Sequence, residues 1–161
     1  MKALESAQEV ENTARETNTT PIVIDALRIQ SEAHRLLGDL ELALKKVETA
    51  IELVEDQRLP YAEGCCWRTL GKVQRDRGFE WADRAGMAFE KSQKIFRDHD
   101  CQHALAVTCR EFAEFLFGVE EPRLAEESLS IAIELFESLK SSNDLQITRE
   151  LLEKGGHHGT S

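Results

Sequence analysis

The sequence is poor in the residues that build β-rich folds and disulfide scaffolds. Aromatic residues are 6% of the chain, and 161 residues hold only 3 prolines and 9 glycines. Few residues punctuate the chain, which disfavours a β-sandwich and favours helices. The four cysteines, Cys65, Cys66, Cys101 and Cys109, are irregularly spaced, and a bridge between neighbours Cys65 and Cys66 would be strained. They read as reduced thiols packed in helices. Positive charge is also in deficit: 20 Lys and Arg against 30 Asp and Glu leave a net charge of -10. Such a molecule as a whole repels nucleic acid and anionic membrane surface. Glu5 and Glu9 interrupt the first ten residues, so these form neither a secretory signal nor a transmembrane span. The expected partners therefore include no nucleic acid and no membrane, and a cytoplasmic location follows.

What is present is a repeat. With 41% hydrophobic residues the chain can bury one extended core, and its apolar and small positions recur at helical spacing. Ala3-Leu4 returns 40 residues later as Ala43-Leu44. Pro21 opens a first helix A through Ile24, Leu27, Ser31, His34 and Leu37; Gly38-Asp39 breaks it, with Asp39 as the expected N-cap of a helix B carrying Ala43, Val47, Ala50, Ile51 and Val54. Pro60 begins the second pair, with Cys66, Trp67, Leu70 and Gly71, then Gly78, then Ala85, Phe89, Ser92 and Phe96. The third carries Cys109, Phe112, Ala113 and Leu116, then Ala125, Leu129, Ala132 and Phe136. Ser31 to Gly71 spans 40 residues and Ala43 to Ala85 spans 42, so two residues are inserted between Gly78 and Ala85. Gly38, Gly78 and Gly118 are evenly spaced and suggest another register for the third pair, but that register would bury Arg110 and Glu111. The apolar pattern is therefore followed.

The expected fold is all-α: a half repeat at 1–17, repeats at about 21–56, 60–98 and 102–139, and a capping helix at about 143–154 signalled by Asn143-Asp144. Residues 155–161 read as a disordered tail. In the half repeat, Ala3, Ala7 and Val10 match helix B of a unit whose helix A is absent. That helix serves either as a polar N-terminal cap or as the cut edge of a longer array.

Trp67-x-x-Leu70-Gly71 and Ala85-x-x-x-Phe89, with the small pairs Gly71/Ala85 and Ala113/Ala125, resemble the tetratricopeptide repeat, whose signature contains W-x₂-L-G and A-x₃-F. The period exceeds that family's 34 residues, the Tyr place is taken by His34, Gln74 and Leu116, and the C-terminal Pro is missing. The longer period resembles the variant in bacterial signalling and transcription-activator proteins. The resemblance implies a right-handed α-solenoid of stacked antiparallel hairpins, with the A helices lining a concave face. It implies a non-catalytic protein-protein interaction scaffold; the alternative is a regulatory or sensor segment of a larger signalling protein.

On that face the resemblance places Asp25, Arg28, Glu32 and Arg35, then Cys65, Arg68, Lys72 and Arg75, then Val107, Arg110, Glu114 and Phe117. The candidate binding residues are Arg28, Glu32, Arg35, Arg68, Lys72, Arg75, Arg110 and Phe117. Guanidinium forks bind carboxylates bidentately, so an acidic peptide or partner protein is the matching ligand. The competing reading pairs these arginines with Asp25, Glu32, Glu63 or Glu114 in a salt-bridged face. Glu41, Glu48, Glu52, Glu55 and Asp56, with Glu126, Glu127, Glu134 and Glu137, read as a solvated B-helix surface.

Catalytic signatures are missing: there is no phosphate-binding glycine loop, no G-x-S-x-G and no H-E-x-x-H. His34 reads as a packed histidine without a nucleophile beside it. Asp98-His99-Asp100-Cys101-Gln102-His103 is the one dense run of ligand-type residues, and it reads as a polar capping loop because consecutive side chains point apart. No enzyme activity, metal or cofactor is expected.

Overall fold

The computed structural model describes residues 2–55 and 57–156. These form eight α-helices, with no strand among the described residues: α1 (Lys2–Glu16), α2 (Thr20–Leu36), α3 (Leu40–Glu55), α4 (Pro60–Arg77), α5 (Ala82–Asp98), α6 (Gln102–Gly118), α7 (Pro122–Ser138) and α8 (Ser142–Gly156). Proline stands in the first turn of α2, α4 and α7, where its missing N–H would have no helical partner in any case.

The repeat is written in the backbone more regularly than in the side chains. Left-handed φ values occur at Asn18, Gly38, Arg58, Gly78, Asp100, Glu120 and Lys140. All steps are 20 residues except 78 to 100, which is 22. Five helices end alike: Thr19 N–H reaches the Ala14 carbonyl at 2.8 Å, Asp39 reaches His34 at 2.9 Å, Cys101 reaches Phe96 at 2.8 Å, Glu121 reaches Leu116 at 2.9 Å and Ser141 reaches Phe136 at 2.9 Å. This long-range bond around a left-handed residue satisfies carbonyls that the helix end leaves open.

The inserted pair lies in the single long step. Gly78 takes φ 117 and ψ 177, a conformation that only glycine adopts readily, and Phe79–Trp81 follow as one 3-10 turn before α5. Trp81 lies under the Arg77 guanidinium at 3.6 Å, and Arg77 reaches Glu41 of α3 at 3.0 Å. The left-handed residue of the third turn is Glu120, whereas Gly118 is the last residue of α6. Ala113 is fully buried and Arg110 and Glu111 are only half-buried, as the apolar pattern requires.

One extended core was expected, but the described chain divides into two compact units, with the boundary between Ile95 and Phe96 inside α5. In the first unit, α1 packs on α2, α2 on α3 and α4, and α3 on α4. Ile24 and Leu27 of α2 meet Val47, Ala50, Ile51 and Val54 of α3, with Ala14 and Cys66 completing the cluster. Small residues set the spacing: Ser31 Oγ donates to the Ala43 carbonyl at 2.8 Å, and Gly71 faces the buried ring of Phe89. Burying roughly 100 Å² of apolar surface is worth ~2.5 kcal/mol, so these seams outweigh any single ion pair.

In the second unit α6 packs on α7 and α8, and α7 on α8. Ala113, Ala125, Leu129, Ala132 and Phe136 are fully buried, and Ser128 Oγ donates to the Cys109 carbonyl at 2.9 Å. The capping helix begins one residue before the expected Asn143. Ser141 precedes it, and its hydroxyl donates to the Asp144 carboxylate at 2.8 Å. Its end also corrects the tail: Gly155 and Gly156 belong to α8, and Gly155 is buried against the Phe117 ring. Residues 157–161 of that tail, and Asp56 of the acidic surface, lie outside the described residues.

Candidate functional site

The charged residues of α2 and α4 in the first unit interlock. Asp25, Arg28, Glu32 and Arg35 recur on one face of α2 at steps of three and four. Arg68, Lys72 and Arg75 do the same on α4. Glu32 stands between the two helices. It accepts hydrogen bonds from Arg35 Nε at 2.9 Å and Thr69 Oγ1 at 3.3 Å and pairs with Lys72 Nζ at 2.5 Å. Arg35 also reaches Asp76 of α4 at 2.5 Å, and Asp76 accepts from Arg75 Nε at 2.8 Å. Arg28 pairs with Asp25 at 3.5 Å, and Arg68 donates to Cys65 Sγ at 3.8 Å.

Glu32, Arg35, Lys72 and Arg75 are half-buried, which strengthens their pairing relative to an open surface. Burial opposes the charge of Glu32, but Lys72 and Arg35 outweigh it and hold its carboxyl below the usual range. Burial likewise opposes charge on Asp76, and Arg75 and Arg35 bring it down. Arg35 loses solvation yet is pushed up by Asp76 and Glu32. Glu32 and Asp76 thus already occupy Arg35, Lys72 and Arg75, while Arg28 and Arg68 are engaged by Asp25 and Cys65.

Arg110 and Phe117 lie in the second unit, where α8 engages both. Arg110 Nη1 reaches Asp144 Oδ1 at 3.0 Å, and its guanidinium lies 5.3 Å from the centre of the Phe136 ring. Phe117 packs on Gly155, where a Cβ would sit 2.1 Å from the ring. Asp144 also meets His103 Nε2 at 3.2 Å. Burial opposes its charge, and hydrogen bonds from Ser141, Arg110 and His103 keep its carboxyl below the usual range.

The structure therefore joins Arg28, Glu32, Arg35, Arg68, Lys72 and Arg75 on neighbouring helices, and places Arg110 and Phe117 beneath the capping helix. The pairings with Asp25 and Glu32 match the salt-bridged alternative read from the sequence, and Asp76 and Asp144 are added to it.

A second polar cluster escaped sequence reading. Glu11 of α1 is 5% exposed. It accepts from Gln30 Nε2 at 2.8 Å and Arg15 Nε at 2.9 Å, with Lys46 Nζ at 3.5 Å. Burial works against its charge, but these partners hold its carboxyl low. The cluster ties α1, α2 and α3 together.

The ligand-type run at 98–103 diverges. Cys101 Sγ points to the His99 carbonyl at 3.5 Å, Gln102 donates to Asp100 Oδ1 at 3.0 Å, and His103 turns to Asp144 and the edge of Phe136. Among the described residues no group of three or more His, Cys, Asp or Glu is placed to hold a metal ion. His34 is half-buried, with Nδ1 3.6 Å from Asp39. The cysteines are unbridged; Cys65, Cys66 and Cys109 are buried. Burial pushes the Cys66 thiol up to about 12 and that of Cys109 up to about 11. No helix among the described residues is long and apolar enough to cross a membrane.

No protein-family model matches the chain, and no curated protein does. Among solved structures, the crystal structure of BtubC (BKLC) from P. vanneervenii is similar, with a TM-score of 0.83 at 16% identity over 99% of this chain. The chain spans 66% of that structure's length, just under two thirds. At this identity the likeness shows the fold: an all-helical repeat of stacked hairpins.

Proposed function

We propose that this protein is a non-catalytic interaction scaffold of tetratricopeptide-like hairpins. Its α2/α4 face takes an acidic peptide or an acidic surface of a partner protein, and Arg28, Arg35, Arg68, Lys72 and Arg75 contact the ligand's carboxylates. The observation that carries this reading is the gathering of these cations on two adjacent helices of a molecule whose net charge is -10. Opposite charge elsewhere on the molecule turns an acidic ligand toward this face, and guanidinium forks fix its orientation. Glu32 and Asp76 already pair with Arg35, Lys72 and Arg75, so a ligand carboxylate competes with them for these cations. The four thiols support a reducing compartment, consistent with a cytoplasmic scaffold.

A fluorescein-labelled hexaglutamate peptide tests the reading. It should bind saturably to the full chain, weaken with added salt, and lose about tenfold or more in affinity on R68E/R75E, while the helical circular dichroism is unchanged. Equal affinity for parent and double variant refutes the assignment.

A further inference from the structure

Along the seam between α1 and α2, Val10, Ile22 and Ile29 keep 47%, 46% and 44% of their surface exposed. They line two adjoining depressions that share Val10 and Ile22. One, of 280 Å³, is completed by Ala7, Ala26 and Ile29; the other, of 380 Å³, by Glu9, Thr13 and Ala14.

The repeat itself shows what covers such a seam. A shift of 40 residues carries α1 onto α3 and α2 onto α4. Ala7 and Val10 then correspond to Val47 and Ala50, and Ala26 and Ile29 to Cys66 and Thr69. All four counterparts are 2% exposed or less, and α2 packs against both helices that carry them. A helix with an apolar face like that of α2 is therefore the element that fits between α1 and α2. Half-exposed Val10, Ile22 and Ile29 stand where the covered seam has Ala50, Ala62 and Thr69, so bulky apolar side chains project from this edge.

The rim specifies the charge of the occupant. Glu9 and Asp25 border the seam where the covered seam has Thr49 and Cys65, and Glu5, one turn before Glu9, corresponds to Lys45.

We propose that the α1/α2 seam is a docking site for an amphipathic helix of a partner protein, apolar along one face and flanked by Lys or Arg. The helix lays its i, i+3, i+7 residues over Val10, Ile22 and Ile29, and its flanking cations meet Glu9 and Asp25. The rim residue Asp25 also pairs with Arg28 of the α2/α4 face at 3.5 Å, but the apolar contacts on Val10, Ile22 and Ile29 use none of that face's cations.

The test uses the full chain and two labelled peptides that reproduce residues 20–37, one carrying two lysines at each end and the other two glutamates. The lysine-flanked peptide should bind saturably, and about tenfold more tightly than the glutamate-flanked one at low salt. E9K should shrink that preference. V10S/I29S should abolish binding while leaving the helical circular dichroism at working temperature unchanged, and R68E/R75E should leave binding intact. No saturable binding, or equal binding by V10S/I29S, overturns the proposal. So does a dimer in sedimentation that V10S/I29S dissociates, because a second copy then fills the seam. An upstream helix of the same polypeptide that shields Val10 from hydrogen exchange overturns it as well.

Discussion

Gly71 tests the packing that sets the hairpin spacing. A Cβ built on Gly71 lies 2.9 Å from Phe89 Cδ2 and 3.0 Å from Cγ and Cε2, and the Phe89 ring has no exposed surface into which to swing. Alanine in a helix interior is favoured over glycine by ~1 kcal/mol. Overpacking a closed core costs ~1–3 kcal/mol, so G71A should be destabilising by about 1 kcal/mol net. With a urea m-value of about 2 kcal/mol/M, the midpoint falls by ~0.5 M. Both tryptophans, Trp67 and Trp81, lie in the first unit, so intrinsic fluorescence follows that unit while circular dichroism follows all helices. Phe89→Leu supplies the control: it leaves room at Gly71, so G71A added to F89L should cost little or stabilise. A midpoint that G71A raises, or the same G71A shift in both backgrounds, would refute the contact as the cause.

Three further outcomes follow from the same geometry. G155A should lower the stability of the second unit by about 2 kcal/mol, because its methyl would overlap Phe117; calorimetry showing no change would remove the Phe117–α8 contact. Glu11, Glu32 and Asp76 all have folded-state pKa values below their unfolded ones, 4.5 for the two glutamates and 3.8 for the aspartate. Their contribution is thus complete above about pH 5 and lost as pH falls through the lowered values; a fluorescence urea midpoint equal at pH 7 and pH 3 would contradict it. Of the four thiols, half-buried Cys101 should react first with an aromatic disulfide reagent, and Cys65, Cys66 and Cys109 only on unfolding; rapid release of more than one equivalent from the native chain would contradict their burial.

The helices and their hairpin order were legible because small and apolar residues recur at one spacing from Ser31/Ala43 through Ala113/Ala125, and burying those faces dominates the local energetics. The turns were less legible. Left-handed backbone ends the helices at seven places, yet glycine occupies only Gly38 and Gly78; Asn18, Arg58, Asp100, Glu120 and Lys140 accept a cost of ~1 kcal/mol each. Composition therefore marks two turns of seven, and Gly118, which looks like another, is helical. The two-residue insertion was visible only as a change in spacing, since the 3-10 turn that absorbs it carries Phe79 and Trp81 and no second turn residue.

The candidate site divides along the same line. Which cations share a helix face follows from steps of three and four, so Arg28, Arg35, Arg68, Lys72 and Arg75 could be grouped from the sequence. Their carboxylate partners could not all be found that way, because ion pairing acts through space between helices. Arg35 meets Asp76 at a separation of 41 residues, Arg110 meets Asp144 at 34, and Gln30 meets Glu11 at 19. Periodicity places Asp76 beside the binding row and Asp144 in a capping turn, and only the packing of α4 on α2 and of α8 on α6 turns them into anchors. A single rule covers both readings of the face: a carboxylate already fixed on an arginine sets the affinity that an incoming one must exceed. E32Q should then strengthen hexaglutamate binding, although it removes a partner of Arg35 and Lys72. If E32Q instead weakens capture, Glu32 positions those cations and does not compete for them.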